Sequence, residues 1–271
     1  MRLSVTHTTR YVFTEPVVHA LQRIRLTPKR TQGQEIIRWN MELEHARVEL
    51  EYDDQHFNHV TLLSIEPGAR EVMVRCSGEV ETQDNAGIIG RHSGHLPLWS
   101  FLGQTALTRP GVRLRALARD ALASGSDPLE RLHFLSREIA AHVAYETGRT
   151  GVETTAEEAA VAGHGVCQDH AHIFIGAARA MDVPARYVSG YLMMNDRIDQ
   201  EATHAWAEAH VDGLGWVGFD VSNGISPDPR YIRVATGRDY RDAAPVTGIL
   251  FGTSQENLHV AIGVEQQQAE Q

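Results

Sequence analysis

The first eighty or so residues change direction too often to be helical. Short β-rich runs at 5–13, 21–27, 36–43, 47–52, 59–65 and 70–80 are cut apart by turn-forming pieces such as Glu15-Pro16, Thr27-Pro28, Thr31-Gln32-Gly33 and Glu66-Pro67-Gly68. Turn signals spaced about 10–12 residues apart predict an antiparallel β-sandwich rather than βαβ units. A glycine-rich stretch holding Gly87, Gly90, Gly94 and Pro97 then reads as a linker. Beyond it the periodicity changes. Asp127 is placed to cap a helix, with Pro128 at its first position and Glu130 three residues after the cap. Leu129, Leu132, Leu135, Ile139 and Val143 recur at helical spacing. Helices are also expected over 111–124, from Thr155, and from Cys167 through Ala171, Phe174, Ile175, Ala178 and Met181 as far as Pro184.

Runs at 185–193, 205–211, 215–220, 231–234 and 258–264 read as strands, with Gly213 and Gly215 bracketing a hairpin turn. Helices followed by an antiparallel sheet make an α+β class. At 271 residues the chain is about twice a typical domain. The expected division is therefore an N-terminal sandwich at 1–98 and a catalytic α+β domain at 99–271. The polar tail from Glu265 onward is expected to fray.

The formal net charge of −10 argues against nucleic acid as a partner, because phosphate-backbone binding needs a basic face. No run of 18 apolar residues exists, so no membrane span is expected. Residues 1–10 carry no apolar leader segment and read as a strand, so the expected location is the cytoplasm. A disulfide between Cys76 and Cys167 is not expected there. Cys76 lies on an alternating strand and reads as a packed residue; Cys167 follows glycines and opens a helix.

Cys167 is the chemically pointed residue. The backbone N–H groups of a helix's first turn are unpaired and the helix end is positive, which favours a thiolate. Gly163 and Gly165 allow the chain to turn tightly into that helix. His204 opens one strand and Asp220 closes the next, so a hairpin can bring them together at one end. A carboxylate there would fix the tautomer of an imidazole that serves the sulfur. Asp169 in the same helical turn opposes a thiolate, which leaves the activation to His204. The bland readings are a structural cysteine, a turn histidine and a strand-capping aspartate. Zinc is the competing chemistry, through His164, Cys167, His170, His172 and His204, but no second short-spaced ligand pair is present. No metal or cofactor is expected.

At Gly165-Val166-Cys167-Gln168-Asp169 with Ala171-His172, at Pro184-Ala185-Arg186-Tyr187-Val188-Ser189-Gly190-Tyr191, at His204-Ala205-Trp206-Ala207-Glu208 and at Gly215-Trp216-Val217-Gly218-Phe219-Asp220 the chain resembles the transglutaminase-like superfamily. Residues 1–80 are similar to the β-rich N-terminal region of its bacterial members, and the segment 237–248 fits their C-terminal part. The resemblance implies a papain-like fold with Cys167 as nucleophile, His204 as base and acid, and Asp220 as orienting carboxylate. It implies a thioester acyl-enzyme and a peptide or protein amide as substrate.

The chain departs from the family pattern at two places. His170 stands where an aromatic residue is common, and Val221-Ser222-Asn223 stands for Pro-Thr-Asn. Asn223 is retained and is expected to brace the loop of Asp220. Tyr145 and Gln168 are weaker candidates for the second oxyanion donor; Trp206 and Trp216 are candidates for cleft walls. The expected activity is a cysteine amidase or peptidase. Transglutaminase chemistry and a non-catalytic binding or scaffold role are the alternatives, and the sequence leaves self-association into a homo-oligomer open.

Overall fold

The computed structural model describes residues 1–200, 202–251 and 256–267. The N-terminal strands are β1 (Arg2–Phe13), β2 (His19–Ile24), β3 (Gln34–Glu44), β4 (Ala46–Asp53), β5 (His59–Ile65) and β6 (Glu71–Thr82). They are followed by β7 (Ile88–Gly90), α1 (Val112–Ala123), α2 (Pro128–His142), β8 (Ala144–Tyr145), α3 (Ala156–Ala162), β9 (His164–Gly165) and α4 (Cys167–Ala180). The chain ends with β10 (Ala185–Leu192), β11 (Asp199–Gln200), β12 (His204–Val211), β13 (Gly215–Phe219), β14 (Tyr231–Gly237), α5 (Tyr240–Ala243), β15 (Val246–Phe251) and β16 (Glu256–Gln266). The class is α+β, with antiparallel sheets throughout except for the short parallel pair of β8 and β9. Among the described residues no helix is long and apolar enough to cross a membrane.

Two sheets carry the N-terminal region, ordered β11-β16-β1-β6-β3 and β15-β2-β5-β4. The alternation in β1 buries Leu3, Val5, His7, Thr9, Tyr11 and Phe13 on one face, as a two-residue period requires. That face serves two partners. Tyr11 and Phe13 cluster with Ala20, Ile65 and Val72 between the two sheets. Leu3 and Val5 instead cluster with Tyr191, Ile232 and Val234 of the catalytic sheet. Trp39 packs against the catalytic-sheet cluster and against the inter-sheet cluster of Ile24, Leu63, Val74 and Cys76.

The C-terminal strands return to the N-terminal sheets. β16 pairs with β1 along its length, from Leu3↔Gln266 to Phe13↔Glu256, and β15 pairs with β2. The stretch expected to fray is thus partly an ordered strand, because β1 has a free edge that β16 covers. Conversely β7, from the expected linker, adds to the edge of the catalytic sheet beside β13.

The catalytic sheet is ordered β14-β10-β12-β13-β7. Its central strand reads His-Ala-Trp-Ala-Glu-Ala-His-Val. The three alanines form one face, and α4 packs on them through Ala171, Ile175 and Ala178 in the main core. Small side chains there let the helix approach closely and set the height of its N-terminus over the sheet. The opposite face carries Trp206 and Glu208.

Candidate active site

Four local devices fix the start of α4. Thr155 and Glu158 form a capping box that begins α3, and Gly163 ends that helix in the left-handed region at φ 74°. β9 then pairs with β8, setting Tyr145 opposite Gly165. Val166 has no capping side chain, so Asp169 reaches back: its Oδ2 accepts from the Val166 N–H at 2.8 Å and from the Thr150 hydroxyl at 2.6 Å. A Cβ on residue 165 would lie 2.7 Å from the Asp169 Cβ, so only glycine leaves room for this cap. Cys167 is the first residue of α4, half-buried, with a free thiol.

His204 opens β12 and is buried. The register Ala207↔Phe219, carried one row further, brings Asp220 opposite Trp206 and diagonal to His204 on the same face. The His204 Nε2–H donates to Asp220 Oδ2 at 2.6 Å, and the imidazole lies within electrostatic reach of Cys167. Burial pulls the imidazole pKa down, but the hydrogen bond to Asp220 and the charges of Asp220 and Cys167 outweigh it and hold the pKa up to about 10.

Asp220 is fully buried and saturated with donors. The Asn223 backbone N–H reaches Oδ1 at 3.2 Å; the Asn223 side-chain amide and the Tyr231 hydroxyl reach Oδ2 at 2.7 and 2.6 Å. Burial pushes the carboxyl pKa up, and the donors led by His204 bring it below the usual range. Asn223 thus contacts Asp220 through both its backbone and its side chain. Tyr231 escaped the sequence analysis. It lies on β14, two strands from β12, and no spacing in the sequence signals that its hydroxyl meets Asp220.

The other candidates separate. Tyr145 lies near Cys167, and burial followed by the charge of Cys167 pushes the phenol up to about 12. Gln168 turns away toward the Val152 carbonyl at 3.4 Å. Trp206 is buried beside the His204 ring, with centroids 6.1 Å apart and planes 28° apart, so it supports the imidazole from within rather than walling a cleft. Trp216 is not at this site: it is buried against Arg186, His92 and Phe101 near the far end of the hairpin.

The zinc set does not converge. His170 faces Ser222 and the Val143 carbonyl, while His172 accepts from the Tyr240 N–H inside the core. No three His, Cys, Asp or Glu side chains among the described residues are grouped to hold a metal ion.

The two departures from the family pattern are one feature. His170 Nδ1 lies 2.9 Å from the Ser222 hydroxyl and Nε2 lies 3.0 Å from the Val143 carbonyl. The imidazole at 170 thus ties α4 to the loop behind Asp220. Burial holds its pKa below the ordinary histidine value, so it is neutral near pH 7. His170→Phe is expected to destabilise the fold by about 1–3 kcal/mol, since it orphans a buried carbonyl and hydroxyl. Adding Ser222→Ala should cost less than the sum of the two single changes; chemical denaturation of the four proteins measures the coupling, and strict additivity would show that the two side chains act separately.

Residues 115–221 match the model of the transglutaminase-like superfamily, and residues 3–81 match that of the bacterial transglutaminase-like N-terminal region. The two matches mark a transglutaminase-like core and a bacterial transglutaminase-like N-terminal region in this chain. It is 29% identical to an uncharacterized protein of Mycobacterium leprae over 97% of this chain and 98% of that one. It is 27% identical to an uncharacterized protein of Mycobacterium tuberculosis, over 97% and 92% of the respective chains. Its fold is that of a Cytophaga hutchinsonii protein provisionally described as a cysteine protease, with a TM-score of 0.78 at 22% identity, covering all of this chain and 92% of that one. In this chain the transglutaminase-like core is thus joined to the N-terminal region, and the C-terminal strands return to pair with that region.

Proposed function

We propose that this protein is a cysteine-dependent hydrolase of peptide or protein amides, working through Cys167, His204 and Asp220. The observation that supports this reading most is the buried His204 imidazole, which bonds Asp220 at 2.6 Å and lies close enough to Cys167 for the sulfur's charge to raise its pKa. With Nε2 engaged by Asp220, Nδ1 is the nitrogen left for the sulfur. The Cys167 sulfur attacks the amide carbonyl and forms a C–S bond while the oxygen becomes an oxyanion. The Cys167 backbone N–H at the helix start and the Tyr145 hydroxyl are the donors available to that oxygen. The C–N bond then breaks and His204 gives its proton to the departing amine. Water attacks the thioester, His204 takes a proton from it, and the carboxylate product leaves with the sulfur restored. Transamidation follows the same course up to the thioester, and a primary amine then takes the place of water.

Rapid alkylation of Cys167 by iodoacetamide near pH 6 is the expected result, read by intact mass. His204→Ala should slow it by at least tenfold. The His204 imidazolium persists through the neutral range, so the two proteins should converge only as the thiol of the variant ionises in alkali. Labelling that rises only above pH 8 and ignores His204 would overturn the reading. A peptide amide incubated with and without a primary amine then separates hydrolysis from isopeptide formation by product mass.

A further inference from the structure

A cavity of about 690 Å³ lies between the N-terminal strands and the face of the catalytic sheet turned away from α4. Its lining is cationic. Arg186 of β10 and Arg233 of β14 converge on Glu208 of β12. Arg186 Nε donates to Oε2 at 2.7 Å; Arg233 donates through Nε and Nη2 at 2.7 and 2.9 Å. Glu208 is wholly buried, and its one charge serves both guanidinium groups.

Lys29 is the sole lysine of the chain. It donates to the His56 carbonyl at 2.6 Å, the Asn58 side-chain oxygen at 2.8 Å and the Thr236 hydroxyl at 3.2 Å, all of them neutral acceptors. The neighbouring acids are spoken for: Asp54 by Arg25 and Asn58, Asp242 by Arg238 and His56. Arg186 and Arg233 against one shared carboxylate leave an excess of about one positive charge, and burial together with those guanidinium groups drives the Lys29 pKa well below its ordinary value, an arrangement that an anion would relieve.

Further features of the cavity face the same way. The Arg186 guanidinium lies 4.0 Å over the Trp216 ring, and its two terminal nitrogens carry no hydrogen bond among the described residues. Thr31 lines the cavity, and its hydroxyl is buried without a hydrogen-bond partner. Arg30 and Arg91 also line it and are exposed, adding attraction for an anion from solution. Beside the cations, Phe57, Ile88 and Leu214 supply apolar wall.

We infer that this cavity binds a small organic phosphate monoester. Its dianionic group would take the free Arg186 nitrogens and the Thr31 hydroxyl, and its organic part would lie against Phe57 and Leu214. A phosphate dianion offsets the excess charge of the two arginines and favours a protonated Lys29, and a guanidinium fork matches its oxygens. The volume exceeds what a bare inorganic ion fills. The site is separate from the triad. Its Gly213–Leu214 wall lies at the opposite end of β12 from His204, Arg233 of β14 shares the row of His204 two strands across the sheet, and none of Cys167, His204 and Asp220 lines it. It therefore stands or falls independently of the proposed amide chemistry.

Calorimetric titration with phenyl phosphate, with benzoate and inorganic phosphate as separate arms at constant ionic strength, tests the inference. Phenyl phosphate should bind one per chain, at least tenfold tighter than either other anion, and change the Trp216 fluorescence. Arg186→Gln should weaken it by tenfold or more. Thr31→Val and Arg91→Ser leave the buried ion cluster intact and should each weaken binding about threefold, which keeps the test valid if Arg186→Gln fails to fold. The rate of Cys167 alkylation should be the same in Arg91→Ser as in the wild type. Equal response to all three anions, or binding indifferent to the Thr31 and Arg91 variants, would overturn the inference; benzoate binding tightest would replace phosphate by carboxylate and overturn it as stated.

Discussion

Asp220→Asn is expected to lower amide turnover by roughly four orders of magnitude while leaving the fold intact, by analogy with the loss seen when a triad carboxylate becomes an amide. The reason lies in what surrounds this carboxylate. Donors reach it from His204, Tyr231 and twice from Asn223. Asparagine has one oxygen to offer them and an amide that donates. An amide nitrogen turned toward His204 would select the tautomer whose Nδ1 carries the proton, and that nitrogen could then no longer take one from sulfur. The Cys167 alkylation rate provides a readout that needs no known substrate: it should fall in Asp220→Asn nearly as far as in His204→Ala. Tyr231→Phe removes one donor and leaves the tautomer alone, so its loss should be far smaller. A turnover loss under tenfold in Asp220→Asn would exclude the orienting role.

Glu208→Gln is expected to have the largest effect on stability, about 3–5 kcal/mol, because it leaves two buried guanidinium groups without their counter-charge. For a chain of this size that corresponds to a fall in Tm of about 10 °C, read by calorimetry or by the circular-dichroism melt. The pH dependence follows from the same contacts. Burial raises the Glu208 pKa, but Arg233 and Arg186 outweigh it and hold the carboxyl below its ordinary value. Its contribution is therefore complete above the unfolded carboxyl pKa and is lost as pH falls through the lowered folded one. The wild type and Glu208→Gln should accordingly differ most near neutral pH and approach each other in acid. A difference independent of pH would mean that the substitution acts through packing instead of charge.

Much of this was visible before any coordinates. The two-residue alternation of β1 and β6 and the 3.6-residue pattern of α2 and α4 fall within a few residues of the observed elements, because each face is buried continuously along its length. Cys167, His204 and Asp220 could be picked out because each stands at an element end marked by local signals: a glycine pair, a strand start and a hairpin of readable length. Tyr231 could not, since its contact with Asp220 depends on the order of strands in the sheet. The same holds for the C-terminal strands. Nothing in residues 246–266 distinguishes strands of the catalytic sheet from strands that return to β1 and β2.

The link between His170 and Ser222 shows the limit most clearly. Each residue taken alone is a departure from a family pattern; together, 52 positions apart in sequence, they form one hydrogen bond. The cationic cavity is of the same kind. Lys29, Arg186, Glu208 and Arg233 lie in four separated stretches of chain, and an overall charge of −10 conceals a local positive excess. The amino-acid sequence by itself determined the elements, the α+β class and the order of the chemical groups, since periodicity and turn chemistry act over a few residues. Tertiary structure alone decided which faces meet, which carboxylate neutralises which cation and where the last two strands pair, because these depend on long-range packing that no local pattern encodes.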